Sequence, residues 1–208
     1  MLTLEAIHIS KQYNQLAVIH DFSHSFKSQT TYGIIGSNGS GKSTLLKILA
    51  GYITPQSGTL TCRLQGKEIA VEALYRHISF MAPYIDLIDD FTVRENLQFH
   101  FAHKNSVGPT LDEMMGLMQL PTEKRIKDFS SGMKQKLKLS ICVFTSSDIL
   151  IIDEPGIFLD ETAKNYFKGL LRQYKNHRLV IIASNEKNDL ESCEEILNIE
   201  NYKKNKVK

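Results

Sequence analysis

Apolar and polar residues alternate from Leu2 to Ile9, and a second strand-like stretch, Ala17 to Phe26, follows a polar turn around Asn14. A period of two with one apolar face predicts a pair of antiparallel strands. Thr30 to Ile35 is a short strand-like run into Gly36, and Leu45, Ile48 and Leu49 then recur at helical spacing within Lys42 to Ala50 until Gly51 stops the segment. The order there is strand, glycine-rich turn, helix. Thr92 with Glu95 and Thr110 with Glu113 have the spacing of capping boxes. Each opens an apolar-periodic segment, Val93, Leu97 and Phe101 in one and Leu111, Met114, Met115 and Met118 in the other, so the middle third is predicted to be helical. Beyond Pro121 a polar stretch leads to Ser130, after which Leu137, Ile141 and Phe144 fall on one face of a helix. Ile149 to Ile152 and Leu179 to Ala183 are continuous apolar strands. Between them a strongly amphipathic helix starts near Asp160 and carries Ala163, Tyr166, Phe167, Leu170, Leu171 and Tyr174 at spacings of three and four. Strands that are apolar on both faces and separated by helices predict a parallel sheet covered on both sides.

The 208 residues are 42% hydrophobic, enough for one domain spanning 1–208 with a substantial core. A formal charge of +2 is too small for nucleic acid to be recognised through bulk electrostatics. Four lysines sit in the tail 203–208, and without them the body is −2, so the basicity belongs to the tail. That tail reads as a solvated, disordered end, or more sharply as a weak contact for anionic lipid. Cys62, Cys142 and Cys193 are odd in number and unpaired in spacing, which points to neither a disulfide framework nor a zinc site and suits a reducing cytoplasm. Met1 to Ser10 lacks the basic flank and apolar block of a signal peptide, and no stretch approaches the roughly 20 apolar residues of a spanning helix. Any membrane association is therefore expected to run through a partner.

Chemistry concentrates at two places. Gly36-Ser37-Asn38-Gly39-Ser40-Gly41-Lys42-Ser43 fits the phosphate-loop pattern G-x-x-x-x-G-K-[ST], in the strand-to-helix context that the pattern requires. Its glycines let backbone N–H groups turn inward toward phosphates, and with Thr44 they meet the N-terminus of the following helix. Lys42 adds a positive charge at the β and γ phosphates, and Ser43 offers a hydroxyl to Mg²⁺. Ile149-Leu150-Ile151-Ile152-Asp153-Glu154 is a buried strand ending in two carboxylates, at the strand end where open α/β sheets bind ligands. Asp153 is assigned to the Mg²⁺ shell and Glu154 to a general base acting on water.

Phe129-Ser130-Ser131-Gly132-Met133-Lys134-Gln135-Lys136, about 20 residues before the acidic pair, resembles the signature L-S-G-G-Q of ATP-binding cassette (ABC) proteins. Thr92-Val93-Arg94-Glu95-Asn96-Leu97 matches that family's T-V-R-E-N-L, Pro55 to Gly58 its P-x-x-G turn, Leu159-Asp160 its D-loop, and Tyr13 the aromatic residue that stacks on adenine. The resemblance covers nearly the whole chain. It implies an α/β phosphate-loop ATPase core, an N-terminal antiparallel β subdomain, and an inserted helical subdomain with its Q-loop over roughly 83–127. It also implies that Ser130, Ser131 and Gly132 face the nucleotide of a second subunit, identical or different, so that two ATP molecules are sandwiched head to tail with Asp160 nearby. The implied setting is the cytoplasmic face of a membrane, on a separate transmembrane subunit.

The chain departs from the family pattern at the Q-loop glutamine, which is Pro83, and at the histidine ending the last buried strand, which is Asn185. Proline has no side-chain amide for metal or water, and asparagine can donate to phosphate but cannot carry a proton. Ser131 and Met133 replace a glycine and the glutamine of the signature. Two readings stay open: a transporter ATPase subunit, and an ATP-gated dimerisation or regulatory subunit that hydrolyses little. A cassette acting on DNA or ribosomes is disfavoured by the single cassette, the absence of a coiled-coil insertion and the near-zero charge.

Overall fold

In the computed structural model, which describes residues 1–14, 16–175 and 177–203, two sheets form. Lys204 to Lys208, most of the basic tail, lie outside the described residues. The first sheet is antiparallel, built from β1 (Leu2–Tyr13), β2 (Leu16–Lys27), β4 (Ser57–Leu64) and β5 (Lys67–Ile69) in the order β2-β1-β4-β5. The second is parallel, built from β3 (Thr31–Ile35), β6 (Ile78–Met81), β7 (Ile149–Asp153), β8 (Leu179–Ser184) and β9 (Glu195–Asn198) in the order β6-β7-β8-β3-β9. The helices are α1 (Lys42–Leu49), α2 (Val93–Phe101), α3 (Leu111–Met118), α4 (Ser131–Phe144) and α5 (Glu161–Tyr174).

The paired strands expected at the N-terminus form in antiparallel register, with Leu4 opposite Phe26, and run further than the alternation suggests. The alternation fails after Ala6 because the register shifts there: Ile7 and His8 both point to solvent, His8 takes a positive φ of 54°, and burial resumes at Ile9. One extra residue in a strand produces this kind of bulge. Strands β4, β5 and β6 do not emerge from the sequence reading. Of these, β5 and β6 are short, as is β9, which the sequence reading also misses, while β4 is longer but exposes half of its positions.

The continuous apolar runs of β7 and β8 are explained by two cores, one on each face of the parallel sheet. Ile149, Ile151, Leu179 and Ile181 pack with α1 and the antiparallel sheet, while Leu150, Ile152, Val180 and Ile182 pack with α2, α3, α4 and α5. Both capping boxes close: Thr92 N–H donates to Glu95 at 2.7 Å and Thr110 N–H to Glu113 at 2.8 Å. At the far end of α4, the buried Arg178 guanidinium donates to the carbonyls of Val143 and Thr145, each at 2.9 Å, satisfying acceptors that a helix terminus otherwise leaves without partners. That anchors α4 to the start of β8, so its opposite end, at Ser130, is held at a fixed place relative to the sheet.

Candidate functional site

Because β3, β7, β8 and β9 are parallel and in register, their carboxyl ends emerge along one edge, with Asp153 beside Ala183 and Ile35 beside both Ser184 and Asn198. The loop from Gly36 to Gly41 leaves β3 at this edge and enters α1. It surrounds a cavity of about 390 Å³ lined by Asn38, Gly39, Gly41, Lys42, Glu154 and Val18. Gly41 has a φ of 108° and lies so close to Val18 of β2 that a side chain there would press on the Val18 carbonyl at 3.0 Å. The antiparallel sheet thus forms one wall of the cavity, a contribution with no motif to announce it.

Lys42 is only 5% exposed, and its Nζ donates to the carbonyls of Gly36 at 2.8 Å and Ser37 at 3.3 Å and pairs with Glu154 Oε1 at 3.1 Å. An ammonium buried to this degree needs such partners. Glu154 follows β7 with a φ of 50°, a conformation uncommon for a non-glycine residue, and its N–H is fixed by the Ala183 carbonyl at 2.8 Å. Backbone held in such a region tends to occur at functional sites.

Asp153 is 1% exposed, and its Oδ1 is buried without a hydrogen-bond partner. Burial pushes its carboxyl above the ordinary value of 3.8; the Ser43 hydroxyl opposes that shift and the neighbouring Glu154 charge adds to it. The Ser40 hydroxyl is likewise buried and unpartnered. Orphaned acceptors and donors this deep are costly unless a ligand completes them. The donor set, one carboxylate and one hydroxyl, fits a small hard cation. Among the described residues no group of three or more His, Cys, Asp or Glu could hold a metal by protein side chains alone.

The sequence-derived residues fall into two places. Asn185 joins the first: its N–H donates to Glu154 Oε2 at 3.3 Å and its Nδ2 to Asn38 Oδ1 at 3.3 Å. Tyr13, at the end of β1, is half-exposed with the Lys11 ammonium 5.5 Å from its ring, and it does not line the loop cavity. Pro83 offers only its carbonyl, which accepts from Lys138 Nζ at 2.9 Å. The next residue, Tyr84, stacks its ring 4.2 Å from Lys47 Nζ of α1; burial, and then the Asp153 charge, push its hydroxyl up to about 12. Two further residues have no role assigned from the sequence. Gln135, buried on α4, donates to the carbonyls of Glu154 and Pro155 at 3.2 Å each, and Glu200 accepts from Ser37 of the phosphate loop.

The second place is a separate cleft of about 620 Å³ lined by Ser130, Ser131, Gly132, Phe158, Leu159 and Asp160. Ser130 caps α4 by accepting from the Met133 N–H at 3.3 Å, and Asp160 caps α5 by accepting from Ala163 N–H at 2.8 Å. Gly132 is required by close approach, since a Cβ there would lie 2.7 Å from the Phe158 carbonyl. Phe158 itself has a φ of 64° and leaves its ring 64% exposed beside the cleft. The phosphate loop and the capped α4 terminus therefore open into different cavities of one chain.

A family model described as ABC transporter matches residues 19–156. The uncharacterized ABC transporter ATP-binding protein YybJ of Bacillus subtilis is 29% identical over 194 residues, 90% of this chain and 87% of its own length. The Nod factor export ATP-binding protein I of Burkholderia orbicola is 33% identical over 174 residues, 79% of this chain but 56% of its own length. The chain likewise spans 60% of the linearmycin resistance ATP-binding protein LnrL of Bacillus subtilis, at 29% identity. Among solved structures, a putative ABC transporter ATP-binding protein from Pyrococcus furiosus superposes with a TM-score of 0.83 at 23% identity, covering 97% of this chain and 100% of that one. The dimeric post-hydrolysis state of an ATP-binding cassette bound to ADP and Pi gives 0.79 at 18% identity, with 94% and 93% covered. At these identities the structures show a shared fold.

The orphaned Asp153 oxygen yields a first prediction. A carboxyl whose native pKa is raised disfavours the folded state at every pH where it is ionised, and that penalty vanishes as the pH falls toward the ordinary carboxylate range. Asp153→Asn is expected to stabilise the nucleotide-free protein at neutral pH by about 1–2 kcal/mol, with the gain shrinking on acidification, and to abolish any Mg²⁺ dependence of nucleotide binding. Thermal melting against pH, and ATP titration with and without Mg²⁺, measure the two effects. A destabilised variant that keeps its Mg²⁺ dependence would contradict the assignment.

Proposed function

The chain belongs to the ABC transporter family, whose cassettes generally bind and hydrolyse ATP, and from that premise we propose that it is the ATP-binding subunit of a transporter. In this reading it closes head to tail with a second cassette around ATP and reopens after hydrolysis. The observation that carries the reading is that one chain holds two half-sites for a triphosphate, in separate cavities. The loop cavity is lined by Lys42, Ser43 and Glu154, with the buried Asp153 next to Glu154 in the chain, and by no signature residue. The other cleft contains the amino end of α4 with Ser130 and Gly132, whose N–H groups and helix dipole favour an anion, but no phosphate loop. A second copy turned head to tail supplies to each cavity what it lacks. The exposed Phe158 ring beside the second cleft would be covered in the same step.

Within the loop cavity, Lys42 exchanges Glu154 for the β and γ phosphates, and the inward N–H groups of residues 38–44 bind the same oxygens. Mg²⁺, when bound, supplies positive charge shared between phosphate oxygens, and Ser43 and Asp153 would hold it. Release from Lys42 leaves Glu154 free to orient water and accept its proton, while Gln135 holds the Glu154 and Pro155 carbonyls and so ties the general base to the signature helix. Asn185, bonded to Asn38 and to Glu154, stands where a γ-phosphate contact is needed and can donate to it. Tyr13 is proposed to reach adenine, and Ser131 and Asp160 to lie in the subunit contact.

Coupling to a membrane subunit is proposed for the segment 83–127. A cavity of about 390 Å³ lies between this segment and the parallel sheet, lined by Tyr52, Tyr75, Phe80, Leu87, Ile88 and Phe99. No helix among the described residues is long and apolar enough to cross a membrane, so any transmembrane path would be supplied from outside this segment of chain. A cytoplasmic position beneath that subunit follows from the same proposal.

Two measurements test this reading. Glu154→Gln removes the general base and also loosens the pair that occupies Lys42, so ATP should bind at least as tightly as in the parent and dimers should accumulate during size-exclusion chromatography in ATP. A monomer at saturating ATP, with binding confirmed, would exclude the sandwich. Pro83 and Asn185 favour a slow-hydrolysis variant of the reading, since Pro83 has no side-chain ligand for metal or water and Asn185 cannot carry a proton. A preorganised transition-state donor is worth about 2.7–4 kcal/mol, and histidine adds to the donor that Asn185 offers a group that can carry a proton, so Asn185→His is expected to raise the single-turnover rate by roughly tenfold. A parent as fast as the His variant would show Asn185 to be a working substitute.

A further inference from the structure

The last parallel strand delivers a carboxylate to the phosphate loop. Strand β9 pairs with β3, setting Asn198 beside Ile35, the residue before Gly36. The chain therefore leaves β9 at the point where β3 becomes the loop, and the one-turn helix Ile199–Tyr202 lies against the loop's first residues. Ile199 is buried on Gly36, so closely that a Cβ on Gly36 would sit 2.5 Å from the Ile199 side chain. The Asn198 side chain caps the turn by accepting from Glu200 N–H at 3.0 Å, and the Tyr202 ring packs edge-on to Phe22 with centroids 4.7 Å apart. Between these anchors, Glu200 Oε1 accepts from Ser37 Oγ at 2.5 Å and from Ser37 N–H at 3.1 Å.

An acidic group beside a triphosphate site is electrostatically unfavourable unless it serves the loop rather than the ligand. Here it does: both donors of Ser37, which does not line the cavity, are bound to Glu200, while the Lys42 ammonium donates to the Ser37 carbonyl. These bonds, with Lys203 and Lys42 contributing less, hold the Glu200 carboxyl below the ordinary carboxylate range. We propose that Glu200 is a positioning residue for nucleotide binding, fixing the first turn of the phosphate loop through Ser37 so that the N–H groups of the following residues converge on phosphate. The C-terminal segment 198–203 then belongs to the nucleotide site although it does not line its cavity. This rests on the ATPase reading only in that the loop's ligand is a nucleotide triphosphate.

The test compares parent, Glu200→Ala, Glu200→Gln and Ser37→Ala in titrations with Mg²⁺-ATP, alongside turnover and melting temperature. Glu200→Ala is expected to raise Kd and KM by about tenfold, the loss of one charge-assisted pair of bonds, with kcat at saturating ATP and the melting temperature of the nucleotide-free chain nearly unchanged. Glu200→Gln should stay within about twofold of the parent, because an amide oxygen accepts both donors. Ser37→Ala should lose part of the affinity and should not add to Glu200→Ala in the double variant. If Glu200→Ala binds as the parent does, if Glu200→Gln falls as far as Ala, or if Kd, kcat and stability fall together, the positioning role is overturned. Where Glu200→Ala proves insoluble, Ser37→Ala against Glu200→Gln decides on the same criteria. A parent that does not bind Mg²⁺-ATP overturns this role and the ATPase reading together, whereas a parent that binds and an Ala variant that is unaffected overturn this role alone.

Discussion

Lys42 places a positive charge where the fold leaves it almost no water, and much of the site follows from how that charge is satisfied. Two loop carbonyls and the Glu154 carboxylate surround its ammonium. Desolvating an ammonium costs several kcal/mol unless opposite charge and acceptors are fixed nearby. The fixing is done by the parallel sheet: β3 brings the loop, β7 brings Asp153 and Glu154, and the end of β8 brings Asn185, all at one edge. A triphosphate would replace one carboxylate with several anionic oxygens at the same place. In the proposed site, Glu154 thus occupies the ammonium at a position suited to an anion.

The same geometry ties the residues resembling the signature to a site they do not line. Gln135 links the signature helix to the carbonyls of Glu154 and Pro155, and Gly132 lets the Phe158 carbonyl come within van der Waals range of that helix. Movement of the helix would thus be felt at Glu154, the proposed general base, through hydrogen bonds and close packing, without a long relay. In the proposed dimer, the γ-phosphate of one chain's nucleotide becomes the ligand of the other chain's helix terminus. Binding, closure and the placement of Glu154 are then steps of one rearrangement.

Much of this architecture was legible in the residues because it rests on local rules. The apolar runs 149–152 and 179–183 give buried parallel strands since both faces meet a core, and the two Thr-to-Glu spacings give capped helices. The glycine pattern from 36 to 41 marks the loop, and the acidic pair after an apolar strand marks the edge. What stayed hidden depends on register and distance. Val18 reaches the loop because β2 passes close to Gly41 at the amino end of α1, Tyr84 because the chain after Pro83 turns back toward α1, and Glu200 because β9 takes the place beside β3. None of these has a sequence spacing that foretells its neighbour. The bulge at Ile7 and His8 was likewise invisible, as alternation specifies a face but not where an extra residue shifts it.

The most direct measurement of the central claim, that each ATP is held by the phosphate loop of one chain and the signature of another, is ATP hydrolysis by a mixture of two inactive variants. Lys42→Ala removes the loop charge, and Ser130→Arg fills the signature cleft with a bulky cation. In a mixed dimer one composite site joins both defects, and the other joins an intact loop to an intact signature. The account predicts that each variant alone is nearly inactive and that mixing them restores turnover with a dependence on the concentration of both. Full activity of Ser130→Arg on its own, or no recovery on mixing two folded variants that form mixed dimers, would contradict it.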